Sequence, residues 1–267
     1  YLKNIEALKF LTEQSGDVLL LVLSSVALYA GGVVFNDVFD AELDAIERPE
    51  RAIPSGLVPK REAIYFGTIL MLIGITLAFN CTLLSGLISV VLTIAILTYD
   101  GYFKQFSFAG PLNMGICRGL NLLLGMSILG SLTNWYISLV PVVYIYAITL
   151  ISRGEVHGDN KKHIVWAGIL YAIVVLSIAL IVIQQKDNLL VFLPFLLLFG
   201  FLIYSPLIKA YKENSPKNIK KAVMGGVLSL VVMNACWVAG FSNWYLALAV
   251  LLLLPLSMLL SKLFAVT

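Results

Sequence analysis

The chain has 267 residues, of which 60% are apolar and only 12% are charged, and its formal net charge is +3. A soluble domain has about 25% charged residues, so this composition excludes an ordinary soluble globular protein. The mean hydropathy of +0.95 instead indicates a polytopic protein in a lipid bilayer. No stretch resembles a nucleic-acid-binding stripe, and we expect no nucleic-acid partner. The three scattered cysteines have no metal-ligand spacing and are interpreted as small buried apolar residues.

A helix needs roughly 20 apolar residues to cross the hydrocarbon core of a membrane. Nine segments approach that length: 17–36, 63–83, 84–101, 109–130, 133–152, 163–184, 188–207, 218–240 and 242–262. They are too long and too uniformly apolar for barrel strands. We therefore predict an all-α fold, a polytopic transmembrane helix bundle of about nine spans around a central cavity that opens to the cytoplasmic side. We expect residues 1–267 to form one integral membrane domain, with residues 1–14 as an interfacial helix or the remnant of a first span.

The basic residues are distributed unequally between the two ends of the predicted spans. Several connections at one end are short and uncharged, whereas those at the other end are long and charged, and 14 of the 18 Lys and Arg residues lie at that second end. Cytoplasmic loops carry an excess of Lys and Arg. The long loops are therefore predicted to lie in the cytoplasm.

A first acidic cluster follows the first predicted span. If the helix continues, Asn36, Asp37, Asp40 and Asp44 share one face, because they are spaced three and four residues apart. Three carboxylates within two turns repel each other unless a cation lies among them. Mg²⁺ is a hard cation that prefers oxygen ligands, so it is the natural candidate. A solvated helix end outside the membrane explains the same charges.

The loop after this cluster combines helix-breaking residues with two arginines. Pro49, Pro54 and Gly56 interrupt a helix here. Arg48 and Arg51 carry planar donor groups that suit the oxygens of a diphosphate. The alternative is that both arginines are topological anchors on an ordinary cytoplasmic loop.

A second acidic cluster follows the fifth predicted span, at the same end as the first. Glu155 and Asp159 are four residues apart and share a face if the segment is helical. Two carboxylate clusters at one depth predict two metal ions bridged by a diphosphate. Lys161 and Lys162 are either further phosphate donors or topological anchors.

Two further groups of polar residues fall near the same end of the spans. The third span ends in Tyr99 to Lys104, which places a phenol, a carboxylate and an ammonium together. Arg118 lies inside the fourth span, with Asn113 and Asn121 within two turns of it. A charge at that depth is costly and should face the interior of the bundle. It either pairs with Asp40, Asp44 or Asp100, or contacts an anionic substrate.

These motifs resemble those of the UbiA-type intramembrane prenyltransferase superfamily. Residues 36–44 match its first aspartate-rich motif, NDxxDxxxD, and residues 48–56 resemble its RPxRPIPSG continuation, with Ala52 in place of proline. Residues 99–104 resemble the family's Tyr-and-Lys loop, and residues 155–159 resemble the end of its second aspartate-rich motif. The resemblance covers nearly the whole chain in span order.

The resemblance implies an enzyme, a transferase of prenyl (alkyl) groups that moves an isoprenyl group from an allylic diphosphate to a small hydrophobic acceptor. Mg²⁺ would be held by Asp37, Asp40, Asp44, Glu155 and Asp159. The diphosphate would be bound by Asn36, Arg48, Arg51, Lys104 and Arg118. The residues expected to be catalytic are Asp37, Asp40, Asp44 and Lys104.

The chain departs from the family pattern in the second motif, where Ser152 replaces the usual aspartate and Gly154 stands where another acid is common. A non-catalytic relative that binds or translocates a lipid or a prenylated intermediate is therefore the alternative function. A secondary transporter would require an inverted repeat, and we find no such symmetry. Residues 152–158 and 117–125 are most similar to the EboC branch of the superfamily, which implies a bacterial plasma (inner) membrane.

Overall fold

The computed structural model describes residues 14–155, 158, 160–185 and 189–263, and every regular element within them is a helix. The α-helices are α1 (Ser15–Glu47), α2 (Lys60–Cys81), α3 (Leu83–Gly101), α4 (Ala109–Met126), α5 (Leu139–Ser152), α6 (Lys161–Gln185), α7 (Leu189–Lys212), α8 (Pro216–Phe241), α9 (Trp244–Leu251) and α10 (Leu253–Leu263). In this part of the chain, eight helices are long and apolar enough to cross a membrane. The prediction of an all-α integral membrane protein is confirmed.

The ninth predicted span, 242–262, consists of two short helices rather than one. Helix α9 ends at Leu251 and α10 begins at Leu253. Pro255 explains the interruption, because it has no N–H to donate and its ring clashes with the carbonyl of the residue four positions earlier, Leu251. The predicted interfacial helix or span remnant at 1–14 falls almost wholly outside the described residues.

Helix α1 extends well beyond the predicted span of 17–36. Its 33 residues correspond to about 50 Å of helix, whereas the hydrocarbon core of a bilayer is about 30 Å thick. The helix ends at Glu47, just before Pro49, which disfavours helical conformation in its neighbour. The first acidic cluster therefore lies on a rigid helical extension and not on a loop.

The chain divides into two compact units, Tyr1–Val142 and Val143–Thr267, and the single domain stays a prediction. In the first unit, α1 and α2 pack closely through small residues. The Ser24 hydroxyl donates to the carbonyl of Gly74 at 2.7 Å, and a Cβ atom at Gly74 would lie 2.7 Å from Leu28. Small residues of this kind let membrane helices approach each other, and their packing sets the position of α1.

The second unit has a core of buried aromatic rings. Tyr144 and Phe199 are fully buried, with ring centroids 5.5 Å apart. The hydroxyl of Tyr144 donates to the carbonyl of Gly226 at 2.7 Å. A buried tyrosine needs such a partner for its hydroxyl, so this bond ties α5 to α8.

Candidate active site

Arg51 binds two carboxylates of the first acidic cluster at once. Its Nη1 atom donates to Oδ1 of Asp37 at 3.1 Å and to Oδ2 of Asp44 at 2.9 Å. The side chain of Asp44 is 8% exposed and that of Asp37 is 46% exposed, so an incoming ligand reaches Asp37 first. Because one guanidinium neutralises two carboxylates, the repulsion expected along this helix face is relieved inside the protein.

The loop that carries Arg51, residues 48–59, is a series of tight turns. The amide of Ser55 donates to the carbonyl of Arg51 at 2.9 Å. Gly56 has a φ of +78°, a conformation that residues with a Cβ atom rarely adopt. These turns fold the loop back along α1, so Arg51 reaches carboxylates that precede it by 7 and 14 residues.

The end of α3 supplies the other partners of the acidic face. Nζ of Lys104 forms an ion pair with Oδ1 of Asp40. Nδ2 of Asn36 donates to Oδ1 of Asp100 at 3.0 Å, and Asp100 is buried in the last turn of α3. The structure thus brings the 36–44 face and the 99–104 segment together, with each of the three motif aspartates paired to a cation.

Two predicted diphosphate ligands make no contact with these carboxylates. Arg48 is exposed, and its side chain has no hydrogen bond or ion pair with a described residue. Arg118 is half-buried and lies about 14 Å from the start of α4, at 1.5 Å per residue. Its side chain forms no ion pair with any residue that the structure describes. The alternative of a structural pair for Arg118 is not observed, because the candidate carboxylates bind other groups: Asp40, Asp44 and Asp100.

The donor set on α1 fits the chemistry of Mg²⁺. This ion prefers hard oxygen ligands and is usually held by one or two carboxylates, with waters and phosphate oxygens completing its shell. Among the residues that the structure describes, no group of three or more metal-ligating side chains is assembled in advance. Asp37 and Asp44 nevertheless direct oxygens towards one positive charge, the guanidinium of Arg51, and a substrate phosphate would complete such a site.

The second acidic cluster is described only in part. Glu155 lies just after α5 and is half-buried, and this burial raises the pKa of its carboxyl, an effect that Lys220 opposes. A carboxyl that is costly to ionise gains from a further nearby cation. Asp159 lies outside the described residues. The ammonium of Lys161, which is either a phosphate donor or a topological anchor, lies 5.9 Å from the ring centroid of Tyr211.

A cavity of about 380 Å³ lies between α1 and α4 in the first unit. The hydroxyl of Ser25 donates to Oδ1 of Asn121 at 2.7 Å in its wall, and the rest of the lining is mainly apolar. The cavity is at least 11 residues along α1 from Asp37, or about 17 Å. Sequence reasoning missed Ser25, although a serine inside an apolar span is a signal worth noting.

Comparison with known proteins identifies relatives of this chain. The model of the UbiA prenyltransferase family matches residues 11–165. The digeranylgeranylglyceryl phosphate synthase of Metallosphaera sedula is 30% identical over 197 residues, which cover 70% of this chain and 69% of that protein. The synthase of the same name from Methanosarcina barkeri is 36% identical over 112 residues, and that from Methanosarcina mazei is 34% identical over 140 residues.

The matched stretch covers 42% of this chain for Methanosarcina barkeri and 52% for Methanosarcina mazei. It spans less than half of each of those proteins, 39% and 47% respectively. A solved structure described as "Structural and mechanistic insights into the biosynthesis of Digeranylgeranylglyceryl phosphate synthase in membranes" shares the fold. It has a TM-score of 0.64 and 21% identity, and the match covers 90% of this chain and 97% of that one. The extent of the family match and the Metallosphaera sedula relative together place the chain: it belongs to the UbiA prenyltransferase family.

Proposed function

We propose that this protein is an intramembrane transferase that moves an isoprenyl group from an allylic diphosphate to a small hydrophobic acceptor. The observation that carries the proposal is the arrangement at the end of α1. There, two cationic side chains, Arg51 and Lys104, hold the three motif carboxylates on one helix face. Hard oxygen ligands beside phosphate-binding cations form a site for a diphosphate ester.

The reaction breaks the bond between the allylic carbon and the diphosphate oxygen, and the electron pair leaves with the diphosphate. The allylic carbon then bonds to a carbon or oxygen of the acceptor, which loses one proton to the departing diphosphate. Mg²⁺, when bound, neutralises the charge that develops on the leaving group. Water must be kept away from the allylic cation, which it would otherwise capture.

The candidate side chains would have two roles in this reaction, holding Mg²⁺ and binding the diphosphate. Asp37, Asp40 and Asp44 would hold Mg²⁺, and Lys104 and Arg51 would turn from these carboxylates to the diphosphate oxygens as the substrate binds. We propose further donors at Asn36, Arg48 and Arg118, and a second set of metal ligands at Glu155 and Asp159. Positively charged donors aimed at a developing negative charge are a large source of transition-state stabilisation.

The proposal predicts that Asp37→Ala or Asp40→Ala abolishes prenyl transfer and leaves the protein folded in detergent. Each change removes a proposed metal ligand whose side chain is partly exposed, 46% for Asp37 and 23% for Asp40, so it should leave no cavity in the core. The measurement is product formation by mass spectrometry with Mg²⁺ and an isoprenyl diphosphate. Glu42→Ala is the matched control, because Glu42 is an exposed carboxylate on the same helix outside the proposed site.

Full activity in both aspartate variants would refute this assignment.

The alternative function, a non-catalytic protein that binds or translocates a lipid or prenylated intermediate, is favoured by the departures at Ser152 and Gly154. It predicts Mg²⁺-dependent binding of an isoprenyl diphosphate with no product in the wild type. The same mass-spectrometric assay therefore separates the two functions.

The relatives suggest a first acceptor to test. Their name describes a glyceryl phosphate that carries two geranylgeranyl groups, so geranylgeranyl diphosphate with a prenylated glyceryl phosphate is the first substrate pair. Membership of the EboC branch, and with it a bacterial plasma membrane, is proposed only from the resemblance of residues 152–158 and 117–125. The relatives named above are archaeal. We also propose that the motif loops face the cytoplasm, because 14 of 18 basic residues lie at that end.

A further inference from the structure

The side chain of Asn160 binds the end of α5, close to the turn that carries Glu155. Asn160 is 4% exposed, and its Nδ2 atom donates to the carbonyls of Ile151 at 2.9 Å and Leu150 at 3.3 Å. These carbonyls belong to the last turn of α5, where the helix itself no longer supplies donors, and that of Ile151 also accepts from the backbone N–H of Gly154 at 3.2 Å. Oδ1 of Asn160 also contacts Nδ1 of His163, so one side chain joins the end of α5 to the start of α6.

Asn214, in the connection between α7 and α8, contacts both Asn160 and Gly158. Its Oδ1 atom accepts a hydrogen bond from the backbone N–H of Asn160 at 2.8 Å, and its Nδ2 atom donates to the carbonyl of Ala210 at 3.3 Å. Gly158 has a φ of +72°, and a Cβ atom there would lie 3.0 Å from the carbonyl oxygen of Asn214. Gly158 and Asn160 are therefore in direct contact with the α7–α8 connection.

Gly154 is part of the same arrangement. A Cβ atom at this position would lie 2.4 Å from Cβ of Asn160 and 2.7 Å from its Nδ2 atom. Any side chain at position 154 would displace Asn160 from the carbonyls of α5. The glycine that replaces an acid of the family pattern is thus required by the packing of Asn160.

We propose that Asn160 and Asn214 are positioning residues that fix the Glu155 carboxylate for Mg²⁺ and diphosphate. This inference rests on the proposed function. Glu155 directly follows Gly154, whose backbone packs against Asn160, so the two asparagines hold the turn on the N-terminal side of Glu155. A turn without this support would have to be ordered when the metal binds, which weakens metal binding.

The test compares Asn160→Ala and Asn214→Ala with Asn80→Ala. Asn80 is a matched control, because its Nδ2 atom also donates to a helix carbonyl, that of Thr76 at 2.8 Å, on the exposed surface of α2. We expect the Mg²⁺ concentration for half-maximal activity to rise roughly 10-fold or more in both loop variants and to stay unchanged in Asn80→Ala. Asn214→Asp keeps the oxygen that accepts from Asn160 and loses only the longer Nδ2 contact with Ala210, so its Mg²⁺ requirement should lie closer to that of the wild type than to that of Asn214→Ala.

Hydrogen exchange of the backbone amides of residues 152–162 provides a readout that needs no turnover. Mg²⁺ with inorganic diphosphate should slow exchange there in the wild type and in Asn214→Asp, but much less in Asn160→Ala or Asn214→Ala. The inference is overturned if the alanine variants show wild-type exchange, or if they lose kcat with an unchanged Mg²⁺ requirement. If the exchange pattern is as expected but the wild type forms no product, the proposed transfer fails and the positioning role stands.

Discussion

At the residue scale, the main feature is that the motif carboxylates already have cationic partners. Arg51 bridges Asp37 and Asp44, and Lys104 pairs with Asp40. Under the proposed function, these carboxylates would hold Mg²⁺, and Arg51 and Lys104 would turn to the phosphate oxygens of the substrate. Each basic side chain would then exchange carboxylate partners for phosphate oxygens, which limits the uncompensated charge.

Lys104 is the residue at which this exchange is most simply tested. We expect Lys104→Gln to lower kcat by ~10²–10³-fold, the usual effect of removing one donor that stabilises developing charge. Lys104→Arg keeps the charge and should retain more activity. Steady-state kinetics with Mg²⁺ and an isoprenyl diphosphate measure both. Lys60→Gln, an exposed lysine at the start of α2, is the control, and an equal loss in that variant would contradict the role given to Lys104.

At the element scale, close helix contacts hold the site-bearing helices. Gly115 lies on α4, and a Cβ atom there would be 2.5 Å from the backbone oxygen of Val142 in α5. Gly125 lies on the same helix, and a Cβ atom there would have no neighbour within 4 Å. A backbone oxygen cannot rotate away as a side chain does, so the two glycines should respond differently to the same substitution.

We predict that Gly115→Ala destabilises the protein by about 1–3 kcal/mol, the usual cost of overpacking. Gly125→Ala should be neutral or stabilising, since alanine is the better helix former. Thermal unfolding in a fixed detergent, followed by circular dichroism, compares the two variants with the wild type. Equal midpoints for Gly115→Ala and the wild type would show that α4 and α5 do not approach as closely as described.

At the scale of the whole molecule, the membrane-spanning helices and the charge asymmetry act together. The structure describes eight helices that are long and apolar enough to span a bilayer, and most Lys and Arg residues lie at one end of the predicted spans. Positive loops are retained in the cytoplasm. The loop of residues 48–59 and the connection at 130–134 should therefore face opposite sides of the membrane.

Labelling of single cysteines with a membrane-impermeant maleimide tests this orientation. The three native cysteines are replaced by alanine, and Ser55→Cys or Ser131→Cys is introduced, since both serines are exposed. In sealed right-side-out vesicles we expect labelling of Ser131→Cys only, and in inverted vesicles labelling of Ser55→Cys only. The reverse pattern would place the acidic motif outside the cell and would contradict the proposed cytoplasmic site.

The sequence alone was sufficient for the helical fold, most of the spans and the family. Spans are readable because a bilayer demands long apolar helices, and the 36–44 motif is readable because its spacing places the acids on one helix face. Two local features were left open or missed. The continuation of α1 past the predicted span end at 36 was only a condition in the sequence analysis, and the helix in fact reaches Glu47. The division of the last predicted span at Leu252 was not anticipated.

The tertiary structure alone decided which charges meet. Local spacing places Arg48 and Arg51 in one loop, yet only Arg51 reaches the carboxylates, because the turns after α1 direct it back along the helix. The roles of Asn160 and Asn214 depend on contacts between residues 54 positions apart. Composition and periodicity report which face of a helix is polar, whereas partner choice depends on packing between distant segments, which no local pattern contains.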